Sequence, residues 1–398
     1  MTFPADTWGI HENHYWLRGG TAEHQVEYYE ERGMWTVHGY PETLAVLNDP
    51  TTFQSDLSAA FPEGTDMSFN EGNLVQMDGL DHRKLRRLVS NAFTPKIVAD
   101  LEPRIAGVTV ELLDEVADQD EIELVSALAY PLPVIVIAEL LGVPASDRDL
   151  FRTWVDTMFQ DQAELSLADG DDQLREDLEA QLNALKPMSD YLTAHAAERR
   201  RAPREDLLTK LVQAEVDGER LNDTEIVNFA GLLLVAGHIT TTMLLGNTIL
   251  CLDTFPEQAE RVRADRSLVP TAIEESLRML SPFAATARVT ATDVELGGKL
   301  IPRGQMVNPL LGAANRDPRQ FDRPDEFDAG RDPNPHIAFG RGVHFCLGAP
   351  LARLEGRVAV NLMLDRFPVL RTIPANPPKF MDSPFMTGVS SLPLRVTA

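Results

Sequence analysis

The stretch Phe339-Gly340-Arg341-Gly342-Val343-His344-Phe345-Cys346-Leu347-Gly348 sets glycines on both sides of a lone cysteine and runs directly into Ala349-Pro350-Leu351. Glycine lets a backbone approach a flat partner closely. A proline in the first turn marks a helix start, so the Cys346 sulfur is expected among unpaired N–H groups at the positive end of the helix dipole. Those features favour a thiolate. A single thiolate from a tight loop suits an iron whose in-plane ligands come from a porphyrin, and it donates electron density that favours O–O cleavage. Two other readings stay open on these residues alone. One is a small buried cysteine in a Gly-rich turn. The other is a non-haem site of Cys346 with His336 and His344, which lacks a fourth ligand and supporting hydrogen bonds.

Working outward, Cys251 is the only other cysteine in 398 residues, so neither a disulfide framework nor a paired-cysteine zinc site is available. Cys251 has no glycines or cations beside it and reads as core. The formal charge of -25 argues against nucleic acid or an anionic membrane as a partner, because both are bound through excess Lys and Arg. There is no run of about 18 apolar residues and no basic, apolar leader, so a cytoplasmic, unexported protein is expected.

Periodicity and punctuation predict a mainly α (α+β) chain forming one domain over residues 1–398. Helix signals cover Asp81 to Phe93, Asp100 to Ala117, Asp172 to Arg199, Asn222 to Thr254, Val269 to Leu280 and Cys346 to Phe367. Strand-like pieces lie near Met34 to His38, Ala285 to Val294 and Leu392 to Val396. The helix opening at Asn222-x-x-Glu225, a capping-box pattern, would span roughly 50 Å and cross the molecule. The proline-punctuated stretch Gly312 to Pro335 is too long for an idle loop.

The spacing F-G-x-G-x-H-x-C-x-G resembles the haem-binding signature of cytochrome P450 enzymes, and further motifs resemble that family in the right order along nearly the whole chain. The resemblance implies the P450 fold, with small β-sheets and haem b between the long central helix and the cysteine-loop helix. It implies Cys346 as the iron ligand, with Phe339, Gly340 and Gly348 of the same loop among the haem-binding residues. Glu275-Ser276-Leu277-Arg278 resembles the family's E-x-x-R helix, and Arg331 matches the arginine that completes a buried scaffold network. His82 and Arg86, in Met77-Asp78-Gly79-Leu80-Asp81-His82-Arg83-Lys84-Leu85-Arg86-Arg87, resemble the propionate-binding helix. Arg288 and His344 match two further propionate contacts.

Ala236-Gly237-His238-Ile239-Thr240-Thr241 resembles the family's oxygen-binding motif, which implies that Ala236 and Gly237 leave room above the iron and that the Thr240 hydroxyl guides protons. At about 100° per residue, Leu233, Ala236, Gly237, Thr240 and Leu244 share one face, whereas His238 points away. Ordinary close helix packing would also explain small residues here. One position departs from the family pattern: Ile239 stands where an acid is usual, and an isoleucine cannot relay a proton.

No G-x-G-x-x-G follows a strand, so two-electron supply from a separate ferredoxin and ferredoxin reductase is implied. Arg83, Lys84, Arg87, Arg341, Arg353 and Arg357 would form their docking face. Expected pocket segments are Ser55 to Asn73, Phe159 to Leu182, Leu233 to Thr240, Phe283 to Thr286 and Met386 to Val389. The predicted reaction inserts one oxygen atom of O2 into a C–H bond, with epoxidation at an alkene. The substrate expected is a bulky hydrophobic natural product: the Ala-Gly-His-Ile-Thr-Thr-Thr run resembles erythromycin-pathway hydroxylases of actinomycetes, which points to a macrolide. A cyclic peptide, a steroid, or a peroxide-driven enzyme are the alternatives, and a monomer is expected.

Overall fold

The computed structural model describes residues 3–58, 70–90, 93–147, 150, 153–154, 171–216 and 218–397. Its axis is the helix Asp223–Thr254, about 48 Å long at 1.5 Å per residue. The capping box forms: the Asn222 side chain accepts the Glu225 N–H at 2.9 Å, and the Glu225 carboxylate accepts the Asn222 N–H at 2.8 Å. Such a cap stabilises a helix by about 1 kcal/mol. From Thr241 to Leu252 every residue is buried, because Pro131–Leu141, Asp171–Arg201, Val269–Met279 and Ala349–Arg366 pack around this rod.

This central helix is long and apolar enough to cross a membrane by length and composition, although its sequence contains no uninterrupted apolar run of that length. Two thirds of that window (67%) is covered by protein, as in a core helix. The largest apolar cluster among the described residues runs from Phe3 to Val396.

The expected helices form at Gly79–Ser90, Glu102–Asp114, Asp171–Arg201, Val269–Met279 and Ala349–Arg366. Pro131–Leu141 had no sequence signal, and the reason is its burial: apolar residues surround it on all sides, which erases the 3.6-residue period. Tyr40–Asn48, Leu207–Gln213 and Pro256–Ala264 are too short to show a period clearly.

A five-stranded sheet runs in the order Val26–Tyr29, Met34–Val37, Met306–Pro309, Arg288–Thr290, Phe53–Gln54. Met306–Pro309 pairs with Met34–Val37 in parallel, and the other pairs are antiparallel. The expected strand Ala285 to Val294 is therefore split between Arg288–Thr290 in this sheet and Val294–Leu296, which pairs with Lys299–Ile301. Leu392 to Val396 appears as Pro393–Arg395 in a second sheet, between Arg371–Thr372 and Glu121–Glu123. A hairpin of Lys379–Phe380 with Val389–Ser391 carries Met386 at its turn side.

The Gly312 to Pro335 stretch is tied down by the E-x-x-R network. Arg278 donates to Glu275 at 2.8 and 2.9 Å, and Arg331 Nε lies 3.0 Å from both Glu275 carboxylate oxygens. The same Arg278 guanidinium donates to the carbonyls of Asn315, Pro324 and Glu326. Glu275 and Arg278 are wholly buried, so the pair is a scaffold inside the protein and not a solvated surface contact.

Candidate active site

The cysteine loop is drawn tight by its own backbone. Cys346 N–H donates to Phe339 carbonyl oxygen at 2.9 Å, and Gly340 N–H to that of Ile337 at 2.9 Å. Gly340 and Gly342 have φ of 70° and 68°, the left-handed region that side chains resist. At Gly342 a Cβ would also come within 2.7 Å of the Leu47 carbonyl oxygen. The glycines are therefore required by the turn. The helix Ala349–Arg366 then begins, and the backbone N–H groups of Gly348 and Ala349 are aimed at the Cys346 sulfur.

The electrostatics differ from the expectation in one respect. Burial pushes the Cys346 thiol up, outweighing the two amides and the charges of Arg86 and Arg353, which act downward. The polypeptide prepares a thiolate without completing it. A coordinated metal cation would supply the remaining stabilisation, since metal binding deprotonates a thiol outright. Cys251, by contrast, is fully buried with its thiol pushed up to about 12 by burial, as befits a core residue.

Around the loop stand the predicted cations. The His82 ring lies 4.3 Å from that of His344, centroid to centroid. Arg86 donates to the Phe345 carbonyl at 2.7 Å, and buried Arg288 donates to the Ala287 carbonyl at 2.6 Å and the Thr286 hydroxyl at 3.2 Å. The hub that unites them was not singled out in the sequence: Asp78. Its carboxylate accepts the N–H groups of Ser55 and Asp56 at 2.6 and 2.8 Å and faces His344 Nε2 at 3.4 Å. Burial opposes its ionisation, yet bonds from His344 and these amides hold it below the usual range. Asp78 also acts electrostatically on His82 and Arg288. Ser55 Oγ, 2.9 Å from His344 Nε2, completes the cluster.

A haem carrying two anionic propionates fits these residues. His82 Nε2 is buried without a hydrogen-bond partner, and burial, with the nearby His344 and Arg86, pushes His82 down to about 4. An orphaned donor beside two arginines and a second histidine suits an anion.

The central helix is less covered near its middle. Leu233, Ala236, Gly237 and Thr240 are partly exposed, while Leu244, expected on the same face, is buried where that face enters the core. A Cβ on Gly237 would meet Ile137 at 3.7 Å, ordinary contact, so close helix packing does not require glycine there. The Thr240 hydroxyl donates to the Ala236 carbonyl at 2.6 Å, which leaves its oxygen lone pairs as acceptors. His238 points away, edge-on to the Tyr130 ring at 4.2 Å. Ile239 is buried against Met243, Met386, Met381 and Phe385. A carboxylate in that apolar cluster would be desolvated and unpaired. Phe283 (42% exposed) and Met386 pair across the adjoining wall. Segments 59–69 and 159–170 of the expected pocket lie outside the described residues.

The basic group is less free than its charges suggest. Arg353 makes two 2.7 Å bonds to Glu274 and lies over the Phe339 ring, 4.6 Å from its centroid. Burial opposes ionisation of Glu274, but hydrogen bonds from Arg353 and His336 hold it at about 2. Arg357 pairs with Glu102 at 2.7 Å and Lys84 with Glu219 at 3.0 Å. Arg83, Arg87 and Arg341 are exposed.

The sequence pattern of the family Cytochrome P450 matches residues 4–397. Cyclomarin C epoxidase CymV of Salinispora arenicola (strain CNS-205) is 41% identical over 381 residues, 95% of this chain and 94% of the relative. The erythromycin C-12 hydroxylase of Saccharopolyspora erythraea is 42% identical over 358 residues, 88% of this chain and 86% of the relative. The crystal structure of HmtN, a post-tailoring hydroxylase involved in himastatin biosynthesis, superposes with a TM-score of 0.88 at 54% identity, covering all of both chains. With the P450 fold, the cysteine loop and the buried E-x-x-R network in place, the chain belongs to the cytochrome P450 family and is a haem-b monooxygenase served by a separate redox partner.

Proposed function

We propose that this protein, as a single domain over residues 1–398, hydroxylates or epoxidises a bulky natural product at a late stage of its assembly. Bound haem supplies the activation of O2 and the transfer of one oxygen atom to a C–H bond or an alkene. Cys346 is its proximal ligand, held by the loop Phe339 to Gly348, and His82, Arg86, Arg288 and His344 bind the propionates. Ala236 and Gly237 leave space on the opposite side. Thr240 accepts a hydrogen bond there and holds a proton-bearing partner in place, the task that Ile239 cannot share. The observations that carry the reading are the Cys346 sulfur under the amides of Gly348 and Ala349 and the partial exposure of Leu233, Ala236, Gly237 and Thr240 in the middle of an otherwise well-buried helix.

Erythromycin-type macrolides are the first substrates to test, and the 54% identity to HmtN puts himastatin precursors beside them. Cyclic peptides and steroids follow. Electrons come from a ferredoxin and its reductase, guided by exposed Arg83, Arg87 and Arg341, and the enzyme acts as a cytoplasmic monomer. The reduced, CO-bound protein will show the Soret band typical of thiolate ligation, and Cys346→Ala will abolish it. A colourless or zinc-containing protein would overturn the assignment. Screening those compounds for a low- to high-spin shift identifies the substrate class, and peroxide-supported turnover without ferredoxin would favour the peroxide-driven alternative.

A further inference from the structure

Beyond Thr240 the central helix buries one amide that the reaction does not use. Asn247 is fully buried, and its Nδ2 donates to the Leu280 carbonyl at 3.0 Å and the Thr387 carbonyl at 2.9 Å. Its Oδ1 accepts the Val389 N–H at 3.3 Å. Leu280 leads into Phe283 and Val389 follows Met386, so one side chain holds the roots of both wall segments. Those segments are also bonded to each other: Ala284 N–H donates to the Phe385 carbonyl at 2.8 Å, and Thr387 N–H to that of Pro282 at 2.9 Å.

A second residue grips the same turn from outside. His14, 1% exposed, sits with Nε2 3.2 Å from the Pro384 carbonyl and Nδ1 3.2 Å from the Thr387 hydroxyl. A carbonyl only accepts, so Nε2 carries the proton and the Thr387 hydroxyl donates to Nδ1. The packing leaves little room to slip: a Cβ on Gly388 would fall 2.3 Å from Met243 Cγ, and one on Gly246 2.4 Å from Val389 Cγ2. Met243 is also in the cluster that joins Ile239 to Met386.

We propose that Asn247, His14 and Thr387 form a buried polar clamp that sets the position of the Phe283–Met386 wall relative to Thr240, and thereby selects which bulky ligands the chamber accepts. These are positioning residues: Asn247, His14 and Thr387 are each at most 1% exposed and act through the wall that they hold. The inference rests on the reading that Phe283 to Thr286 and Met386 to Val389 line the substrate chamber. Removing the amide strands two carbonyls and an N–H in a dry core, so the wall must move to find partners. A shift of about 1 Å in a positioning element is enough to change binding or rate many-fold.

The test uses the haem-loaded protein and two iron-binding azoles: imidazole, which reports access to the iron, and clotrimazole, which is wide enough to touch the wall. Thr387→Val removes one hydroxyl at constant shape, His14→Phe keeps the ring packing, and Asn247→Ala removes the hub; Phe283→Ala alters the wall directly. Thr387→Val and His14→Phe are expected to leave imidazole affinity and the CO-bound Soret band unchanged. Their ratio of clotrimazole to imidazole affinity should shift at least threefold, and amide exchange in 381–389 should accelerate about tenfold. A residue that matters only for stability would speed exchange without moving that ratio. If the ratio stays within twofold in both variants while Phe283→Ala shifts it, the clamp is overturned and the chamber reading stands. If Phe283→Ala leaves it unmoved as well, the chamber reading itself fails. Should Asn247→Ala not fold, Thr387→Val decides the matter.

Discussion

The two sides of the site are built by different physics. Around Cys346 the parts are polar and bonded many times over: Glu274 binds Arg353 and His336, and Asp78 binds two amides and faces His344. On the Thr240 side Ile239, Met243 and Met386 meet by shape, with polar anchors only behind them at Asn247 and His14. Directional bonds to a fixed cofactor tolerate little change, whereas an apolar wall can be reshaped by side-chain volume. The first side suits a chemistry shared by a family, the second the choice of substrate.

The comparison breaks most visibly through the scaffold beneath the first side. Glu275→Ala leaves Arg278 and Arg331 without their buried carboxylate, and loss of one partner of a buried pair costs about 3–5 kcal/mol. Haem content and thermal midpoint should both collapse; a stable, haem-loaded variant would show that the network is dispensable.

Acid separates the two sides next. Burial pushes both His14 and His82 down to about 4, against about 6.5 in an unfolded chain. Between those values the unfolded state binds more protons, so the contribution is whole above about pH 6.5 and is lost as pH falls towards 4. For His14 this amounts to about 3 kcal/mol at most. Haem propionates should stabilise charged His82 and cancel its share, while His14 keeps its own. Thermal midpoints of haem-free protein should then fall more steeply with acid than those of the haem-loaded form, and parallel curves would contradict the propionate role of His82.

Thr240→Ala should leave the Soret spectrum intact and lower product formed per NADPH several-fold, on the order of 1 kcal/mol in partitioning. Unchanged coupling would remove Thr240 from the proton route. The smallest effect is expected at the docking face. Charge reversal at exposed Arg83 and Arg341 should slow reduction a few-fold at low salt and less at high salt. Reversal at Lys84, already paired with Glu219, should matter less; equal effects would mean that the ion pair does not quench it.

Much of the first side was legible in the sequence because its parts are local. The glycines, His344 and Cys346 lie within one loop, and His82 and Arg86 share a helix face four residues apart. Glu275 and Arg278 are three apart, and Arg331 was found through motif order. His238 was placed correctly by helical angle alone. What escaped were partners far apart in the chain. Ser55 meets His344 across 289 residues, Asn247 meets Thr387 across 140, and His14 meets Thr387 across 373. No periodicity encodes such pairings. The ion pairs that occupy Lys84, Arg353 and Arg357 were hidden for the same reason, since each carboxylate comes from another helix or strand.

By itself the sequence determined a helical chain with a long capped rod, a turn that only glycines can make, and a lone cysteine at a helix start, because those are properties of neighbouring residues. Only the tertiary structure decided that Asp78 is the hub of the cationic rim and that Ile239 faces a dry cluster. It alone showed that the Cys346 thiol is pushed up, because desolvation and long-range pairing exist only once distant segments exclude water together.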